Sequence, residues 1–281
     1  MRQSQQPIMQ SNPPKIFIYT ALPCEAKPLI DYFRLKKNVQ INPFAVFAND
    51  TLCLTVTGIG KNAMAAGIAY TQALLATAAY PVLVNVGIAG HRDHELGELF
   101  IIDKITDAET QKRYYPPLVF KPPCPSANVR TAAKPQLDYA HAELCDMEAS
   151  AFYETAVRFS SGELIQCLKV ISDNAATPAG QINAPSASAL IAARLESIVQ
   201  VVEQLAKLAH LLDTTEPPGF AELLGHYRFS MSEQRQLKAQ LLRWSIVTGG
   251  NTLDVDKAAL HSGKAVLKWL EQKISDTAFY L

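Results

Sequence analysis

The stretch Val82-Leu-Val-Asn-Val-Gly-Ile-Ala-Gly90 decides the fold. A short, β-branched apolar run, Val82–Val86, enters a segment closed at each end by glycine, Gly87-Ile-Ala-Gly90. A run of this kind reads as a strand buried on both faces, in a sheet covered by helices. Just upstream, Thr57-Gly-Ile-Gly60 opens the Ala-rich helical stretch Lys61–Thr77. Further upstream, Lys15-Ile-Phe-Ile-Tyr-Thr-Ala-Leu22 is a second buried strand, stopped by Pro23 and followed by a helix through Glu25, Leu29 and Phe33. Ala45–Ala48 and Thr51–Val56, on either side of Asn49-Asp50, form a hairpin. Downstream, Leu99–Ile105 and Leu168–Ser172 are strands, a helix begins near Met147, and Ala187–Leu211 is a long amphipathic helix. Residues 107–140 hold prolines 116, 117, 122, 123, 125 and 135 and read as a long loop or lid. Strands alternating with helices predict an α/β fold of three layers, αβα, and the early hairpin makes the central sheet mixed.

The pattern changes at Thr214-Thr-Glu-Pro-Pro-Gly219, which reads as a linker. Residues 220–281 show helical periodicity and no strand. Ser230 and Glu233 form a capping-box pair ahead of a helix ending near Val247, Gly249-Gly-Asn251 is a break, and a last helix covers about Val255–Lys273. The expected division is therefore a polar, disordered lead-in over 1–14, an α/β domain over 15–213 and a helical C-terminal appendage over 214–281. Trp244 and Trp269 fall on apolar helical faces and belong to the small core of that appendage.

Composition narrows the class. The chain has 281 residues, 48% of them apolar, with 26 Lys and Arg against 26 Asp and Glu. A neutral chain has no global pull toward nucleic acid or an anionic membrane, so neither is an expected partner. The five cysteines, Cys24, Cys53, Cys124, Cys145 and Cys167, are widely spaced and odd in number, which fits reduced thiols rather than a disulfide framework or zinc. No metal or other cofactor is expected. The N-terminus lacks the apolar core of a secretory signal, and no apolar run is long enough to span a bilayer, so a cytoplasmic location is expected.

In an open α/β sheet, ligands bind beyond the carboxyl ends of strands. That rule selects Leu22–Glu25, Gly58–Lys61, Gly87–Gly90 and Ser172–Asn174, together with Asp146-Met-Glu148 at a helix start. Taken singly, each has a plain structural reading. A bare G-x-G is usually a turn, Asp146, Glu148 and Asp173 suit helix caps, and Glu25 suits a solvated first helical turn. His91, Arg92, Asp93 and His94 read as a solvated loop.

Their order and spacing are more specific. Ala21-Leu-Pro-Cys-Glu25, Thr57-Gly-Ile-Gly-Lys61, Asn85-Val-Gly-Ile-Ala-Gly90, Asp146-Met-Glu-Ala149 and Ile171-Ser-Asp-Asn-Ala175 together resemble the purine and uridine phosphorylase superfamily. Within it they are most similar to the methylthioadenosine/S-adenosylhomocysteine nucleosidases. The resemblance spans about residues 15–211 and implies a nucleoside-binding enzyme that cleaves an N-glycosidic bond and forms a homo-oligomer, a dimer in the first instance.

Residue by residue, the resemblance makes Asp173 the acid that protonates a departing purine at N7, a role that calls for a carboxyl kept protonated by burial, with Ser172 orienting it. It places Glu148 on the ribose hydroxyls and Met147 under the sugar. It makes Glu25 the base that activates water, and brings backbone groups of Asp146 and Ala175 to the purine. Gly87 and Ile88 occupy the place of the family's Gly-Ser/Thr motif, with isoleucine where a hydroxyl is usual. Asn85 stands where phosphorylases carry a phosphate-binding arginine, so water is favoured over phosphate as nucleophile. Lys169 stands where the nucleosidases have arginine beside the sugar-binding glutamate. The segment 107–143 is short for the family, leaving Tyr114, Tyr115, Phe120 and Tyr139 as the aromatic residues available to a base. A phosphate-dependent phosphorylase and a catalytically silent nucleoside-binding module are the alternatives.

Overall fold

A computed structural model describes residues 15–76, 78, 80–213, 217–248, 253 and 260–277. The lead-in over 1–14 and the Gly249–Asn251 break lie outside the described residues, as does part of the 214–219 linker. The chain divides into two compact units between His210 and Leu211.

The first unit is built on one mixed sheet. Strand β1 (Ile16–Thr20) lies between β4 (Leu52–Val56) and β5 (Val82–Gly90) and is parallel to both. The expected hairpin is present, with β3 (Ala45–Ala48) antiparallel to β4 and the two-residue β2 (Lys36–Lys37) beyond it. On its other side β5 pairs in parallel with β10 (Ile165–Asp173). Strand β10 then pairs antiparallel with β6 (Leu99–Asp107), which also carries the short β7 (Arg113–Tyr114). From β6 the sheet passes in parallel to β8 (Ser126–Thr131) and β9 (Leu144–Asp146), and β9 returns to β5 through Gly90 and Cys145. The sheet thus closes on itself through β5, β10, β6, β8 and β9, and β1 to β4 leave it as an open wing.

Helix α1 (Pro23–Phe33) starts with proline at its first turn, where the missing N–H costs nothing. Helix α2 (Lys61–Leu75) follows Gly60, whose φ of 96° suits glycine. Helix α3 (Ala149–Ala156) begins two residues after the expected start at Met147. The reason is Asp146, whose Oδ2 accepts the Ala149 N–H at 2.8 Å and fixes the first turn there. One face of the sheet packs Phe17, Tyr19, Leu83, Ile165 and Cys167 with Met64 and Ile68 of α2 and Phe152 of α3.

Three expectations are corrected. Ala187–Leu211 is two helices, α4 (Ala184–Ala192) and α5 (Leu195–Asp213), because the chain turns at Arg194 so that its Nε donates to the Gly97 carbonyl at 2.6 Å. The 107–140 segment is not a continuous loop, since β8 lies inside it as an interior strand. Only Val129 and Thr131 of that strand are fully buried, so its sequence carries a weak period-two signal. Gly87–Gly90 and Ser172–Asp173 belong to strands β5 and β10 themselves, because the pairing of those strands continues to Asp173 and Gly90.

In the second unit, α6 (Phe220–His226), α7 (Met231–Val247) and α8 (Gly263–Asp276) share a core of Leu223, Leu237, Leu241, Val266, Leu267, Leu270 and Ile274. Trp244 and Trp269 pack against it, as expected. The Ser230–Glu233 capping box forms in both directions, at 2.7 and 3.3 Å. The last helix runs from Gly263, where the Ser262 Oγ accepts the Ala265 N–H and caps it; the expected start near Val255 lies outside the described residues. No helix among the described residues is long and apolar enough to cross a membrane.

Candidate active site

A cleft of about 690 Å³, part of it open to solvent, lies where β5, β9 and β10 come together. Glu25, Ile88, Asp146, Met147, Glu148, Ser172 and Asp173 all line it, which brings together most of the residues singled out in the sequence. Gly87 and Lys169 do not line it and stand in the wall behind. Ala175 does not line it either, and its N–H donates to the Arg92 carbonyl at 3.3 Å.

Glu25 is a buried carboxylate, not the solvated first-turn acid of the plain reading. Its Oε2 accepts the N–H groups of Ala21 and Leu22 at 2.9 and 2.8 Å, and its Oε1 accepts the N–H of Ile88 at 3.0 Å. Position 88 therefore contributes its backbone, which isoleucine supplies as well as serine. Burial pushes the Glu25 carboxyl above the usual range, against those backbone donors and the Lys169 charge. A carboxylate offers about four acceptor sites. Three are used here, so one remains to accept from a ligand.

Glu148 ends the β9–α3 connection, and its Oε1 accepts the Gly60 N–H at 2.7 Å. Gly58-x-Gly60 thus serves to bring a backbone donor to a carboxylate. Burial, followed by the negative charge of Asp146, pushes Glu148 up to about 7, with Lys169 and Gly60 opposing. Asp146 is spent structurally. Its Oδ1 accepts from Thr131 Oγ1 at 2.7 Å, and its Oδ2 meets Ala149 N and the Lys169 ammonium, each at 2.8 Å.

Lys169 is 1% exposed. Burial works to lower its ammonium, but Asp146, Glu148 and Cys167 outweigh it, so Lys169 stays charged. One buried cation therefore serves a group of carboxylates.

Strand β5 makes the space for these groups. Lys169 sits opposite Gly87 and Asp173 opposite Gly90 in the β5–β10 ladder. A Cβ at Gly87 would stand 3.1 Å from Glu25 Oε1 and 3.4 Å from Lys169 Nζ. At Gly90 it would stand 2.6 Å from Asp173 Oδ2. The two glycines are therefore close-approach positions inside a strand. The register slips between Ile171 and Asp173, with Ser172 as the extra residue, and such a bulge re-aims the side chain beside it. Ser172 Oγ donates to Asp173 Oδ1 at 2.5 Å and lies 3.4 Å from the Ala89 carbonyl, a second acceptor toward which its hydroxyl can turn.

Two residues stand otherwise than the sequence reading had them. Tyr139, there an aromatic residue available to a base, does not line the cleft, and its OH donates to Asp173 Oδ2 at 2.8 Å. His91, expected in a solvated loop, is 8% exposed. Its Nδ1 accepts from the backbone N–H groups of Asp93 and His94, both at 3.0 Å, so Nε2 carries the proton and donates to the Ala142 carbonyl at 3.2 Å. A helical or strand period could reveal neither, because both lie in irregular chain.

Solved structures that superpose on this chain include nucleosidases. The MTAN of Chlamydia trachomatis superposes with a TM-score of 0.54 at 20% identity, over 68% of this chain and 99% of that one. The 5′-methylthioadenosine nucleosidase of Arabidopsis thaliana gives 0.55 at 16% identity, over 69% and 96%. The 5′-methylthioadenosine/S-adenosylhomocysteine nucleosidase of Neisseria meningitidis, in complex with methylthio-immucillin-A, gives 0.53 at 14% identity, over 66% and 98%. No protein-family profile and no curated protein matches the chain.

Proposed function

The α/β unit has the fold of the methylthioadenosine/S-adenosylhomocysteine nucleosidases, and on that fold we propose that it hydrolyses the N-glycosidic bond of a purine nucleoside. The observation that carries this reading is the meeting of Glu25, Glu148 and Asp173, from three separate elements, on one cleft. Cleaving the bond between C1′ and the purine builds positive charge on the ribose and negative charge on the base. Asp173 gives its proton to N7 as the bond's electron pair moves to the base. Glu148 accepts from the ribose hydroxyls and holds the sugar over Met147. Glu25 takes a proton from water as the water oxygen bonds to C1′. Its burial-raised carboxyl makes it a stronger base than an ordinary glutamate. The proton gained at Glu25 returns through solvent to Asp173, so each turnover consumes one water and yields free base and free sugar. The division of labour parallels inverting glycosidases, in which one carboxyl is the acid and another activates water.

Water is favoured over phosphate by charge. No lysine, arginine or histidine is among the described residues lining the cleft, whereas four carboxylates are. Lys169 is closed behind the wall on Asp146, and Asn85 is 1% exposed. A phosphate dianion would meet Glu25 and no countercharge.

The test is a panel of purine nucleosides, including 5′-methylthioadenosine and S-adenosylhomocysteine, incubated with and without phosphate and assayed for base and sugar. Base release without phosphate is expected. Strict phosphate dependence overturns the water mechanism, and binding without release from any nucleoside identifies a binding module instead.

A further inference from the structure

We infer that Tyr139 is a positioning residue for Asp173, a hydroxyl clamp supplied by the 132–143 segment that holds the carboxyl in the orientation needed to serve a leaving base. The inference rests on the hydrolase reading above and adds to it a residue outside all the motifs from which that reading began.

The direction of the hydrogen bonds is fixed by chemistry. The Ala179 N–H lies 2.9 Å from the Tyr139 oxygen, and an amide can only donate. The phenol has one proton, and at 2.8 Å the Asp173 Oδ2 receives it. Tyr139 therefore ties three parts of the site together: its own segment, the Ala179 turn that follows β10, and Asp173 at the end of β10. Ser172 holds the other oxygen, Oδ1, so the carboxyl is gripped at both ends.

The backbone supports the assignment. Tyr139 has φ of 48°, in the left-handed region, where a bulky residue is uncommon and strained by about 1–3 kcal/mol. Such strain persists where the surroundings hold it, and the two hydrogen bonds of the phenol are what hold this one. Burial and the neighbouring Asp173 carboxylate push the phenol up to about 12, which keeps it a proton donor throughout the neutral range. Tyr139 does not line the cleft while Asp173 and Ala179 do, so it braces the acid from outside the space a nucleoside would fill.

Tyr139→Phe keeps the ring and removes the hydroxyl. With 5′-methylthioadenosine or another purine nucleoside that the wild type hydrolyses, kcat is expected to fall roughly tenfold to a hundredfold, the range for losing a hydrogen bond to a charged group, while KM stays within about threefold. With a nitrophenyl riboside, whose leaving group departs without protonation, the same variant is expected to match the wild type. A merely structural role would reduce both substrates alike, and that result overturns the proposal. A rise in kcat/KM for the purine nucleoside also overturns it, because Tyr139 would then be an obstruction. Should the wild type hydrolyse no nucleoside, the hydrolase reading is lost, and the clamp is still measured by a thermal double-mutant cycle of Tyr139→Phe and Asp173→Asn. Tm losses that are less than additive support the clamp. Strictly additive losses overturn it.

Discussion

Replacing Lys169 with methionine tests the electrostatic account of the site most directly. The ammonium is 1% exposed and 2.8 Å from Asp146 Oδ2. Removing one partner of a buried ion pair costs about 3–5 kcal/mol, because the other charge is left without compensation. Here the remaining carboxylate keeps Thr131 Oγ1 at 2.7 Å, Ala149 N at 2.8 Å and Glu148 N at 3.3 Å, which places the expected loss near the lower bound, about 3 kcal/mol. The penalty also has a direction in pH. Lys169 is raised in the folded state, so its own contribution is complete below its unfolded value and is lost only as pH rises through the folded one, well above neutrality. Glu25 and Glu148 are raised as well, so the folded chain binds protons there that the unfolded chain releases. Without the lysine their mutual repulsion grows and is relieved only on protonation. The deficit of Lys169→Met should therefore be largest near pH 8 and shrink by about 1 kcal/mol or more toward pH 5. Both tryptophans, Trp244 and Trp269, lie in the second unit and report on that unit. Urea-dependent hydrogen exchange of peptides covering β10 reads the first unit instead. A variant within about 0.5 kcal/mol of wild type at pH 8, or a deficit that widens on acidification, would refute the single-cation account.

Three further outcomes follow from the same geometry. Asp173→Asn should lose roughly a hundredfold to ten-thousandfold in purine release while circular dichroism stays native, and full activity in this variant would remove the acid assignment. Gly90→Ala puts a Cβ at 2.6 Å from Asp173 Oδ2, so it should displace that carboxyl, lower kcat sharply and cost about 1–3 kcal/mol; unchanged kinetics would show that the carboxyl position is not critical. Glu148→Gln keeps an acceptor for Gly60 and removes a charge whose burial costs stability above its unfolded value. It should raise Tm at pH 8 and leave it nearly unchanged below about pH 4, where the carboxyl is protonated in both states, while nucleoside binding is lost; a lower Tm at pH 8 would contradict the burial-driven shift.

Long periodic signals survive into the structure and irregular ones do not. Val82–Val86 read correctly as a buried strand because β5 is covered on both faces, and the Ser230–Glu233 pair marked a helix start because capping is local chemistry. Gly87 and Gly90 were legible as part of a segment beyond the strand but neither as members of it nor as close-approach positions, because their partners, Lys169 and Asp173, lie some eighty residues away. Strand β8 was hidden because Ser126-Ala-Asn-Val-Arg-Thr131 has only two fully buried residues and follows a proline cluster. Tyr139 was marked only as an aromatic residue available to a base, and nothing local signalled its contact with Asp173. Its place depends on a left-handed turn and on two contacts remote in sequence. The carboxylates and the roles expected of them came from their motifs, and the donors around each one show how much acceptor capacity it has left.

Those donors leave the four carboxylates with different acceptor capacities. Asp146 is saturated by Lys169, Thr131 and the first turn of α3, so it anchors the wall. Glu25 has three backbone donors and one acceptor site left, which suits a base that receives a single proton from water. Glu148 has one backbone donor and a carboxyl raised to about 7, which leaves acceptor capacity for the sugar hydroxyls of the proposed substrate. Asp173 is held by two hydroxyls, of which Ser172 has an alternative acceptor in the Ala89 carbonyl. When Asp173 Oδ1 carries a proton, Ser172 can turn to Ala89 and accept it, whereas Tyr139 stays fixed as a donor by the Ala179 N–H. A backbone donor cannot reverse and a serine hydroxyl can. A serine partner that can reverse in this way suits the acid role proposed for Asp173, because a proton donor to a leaving base passes between a protonated and an ionised carboxyl.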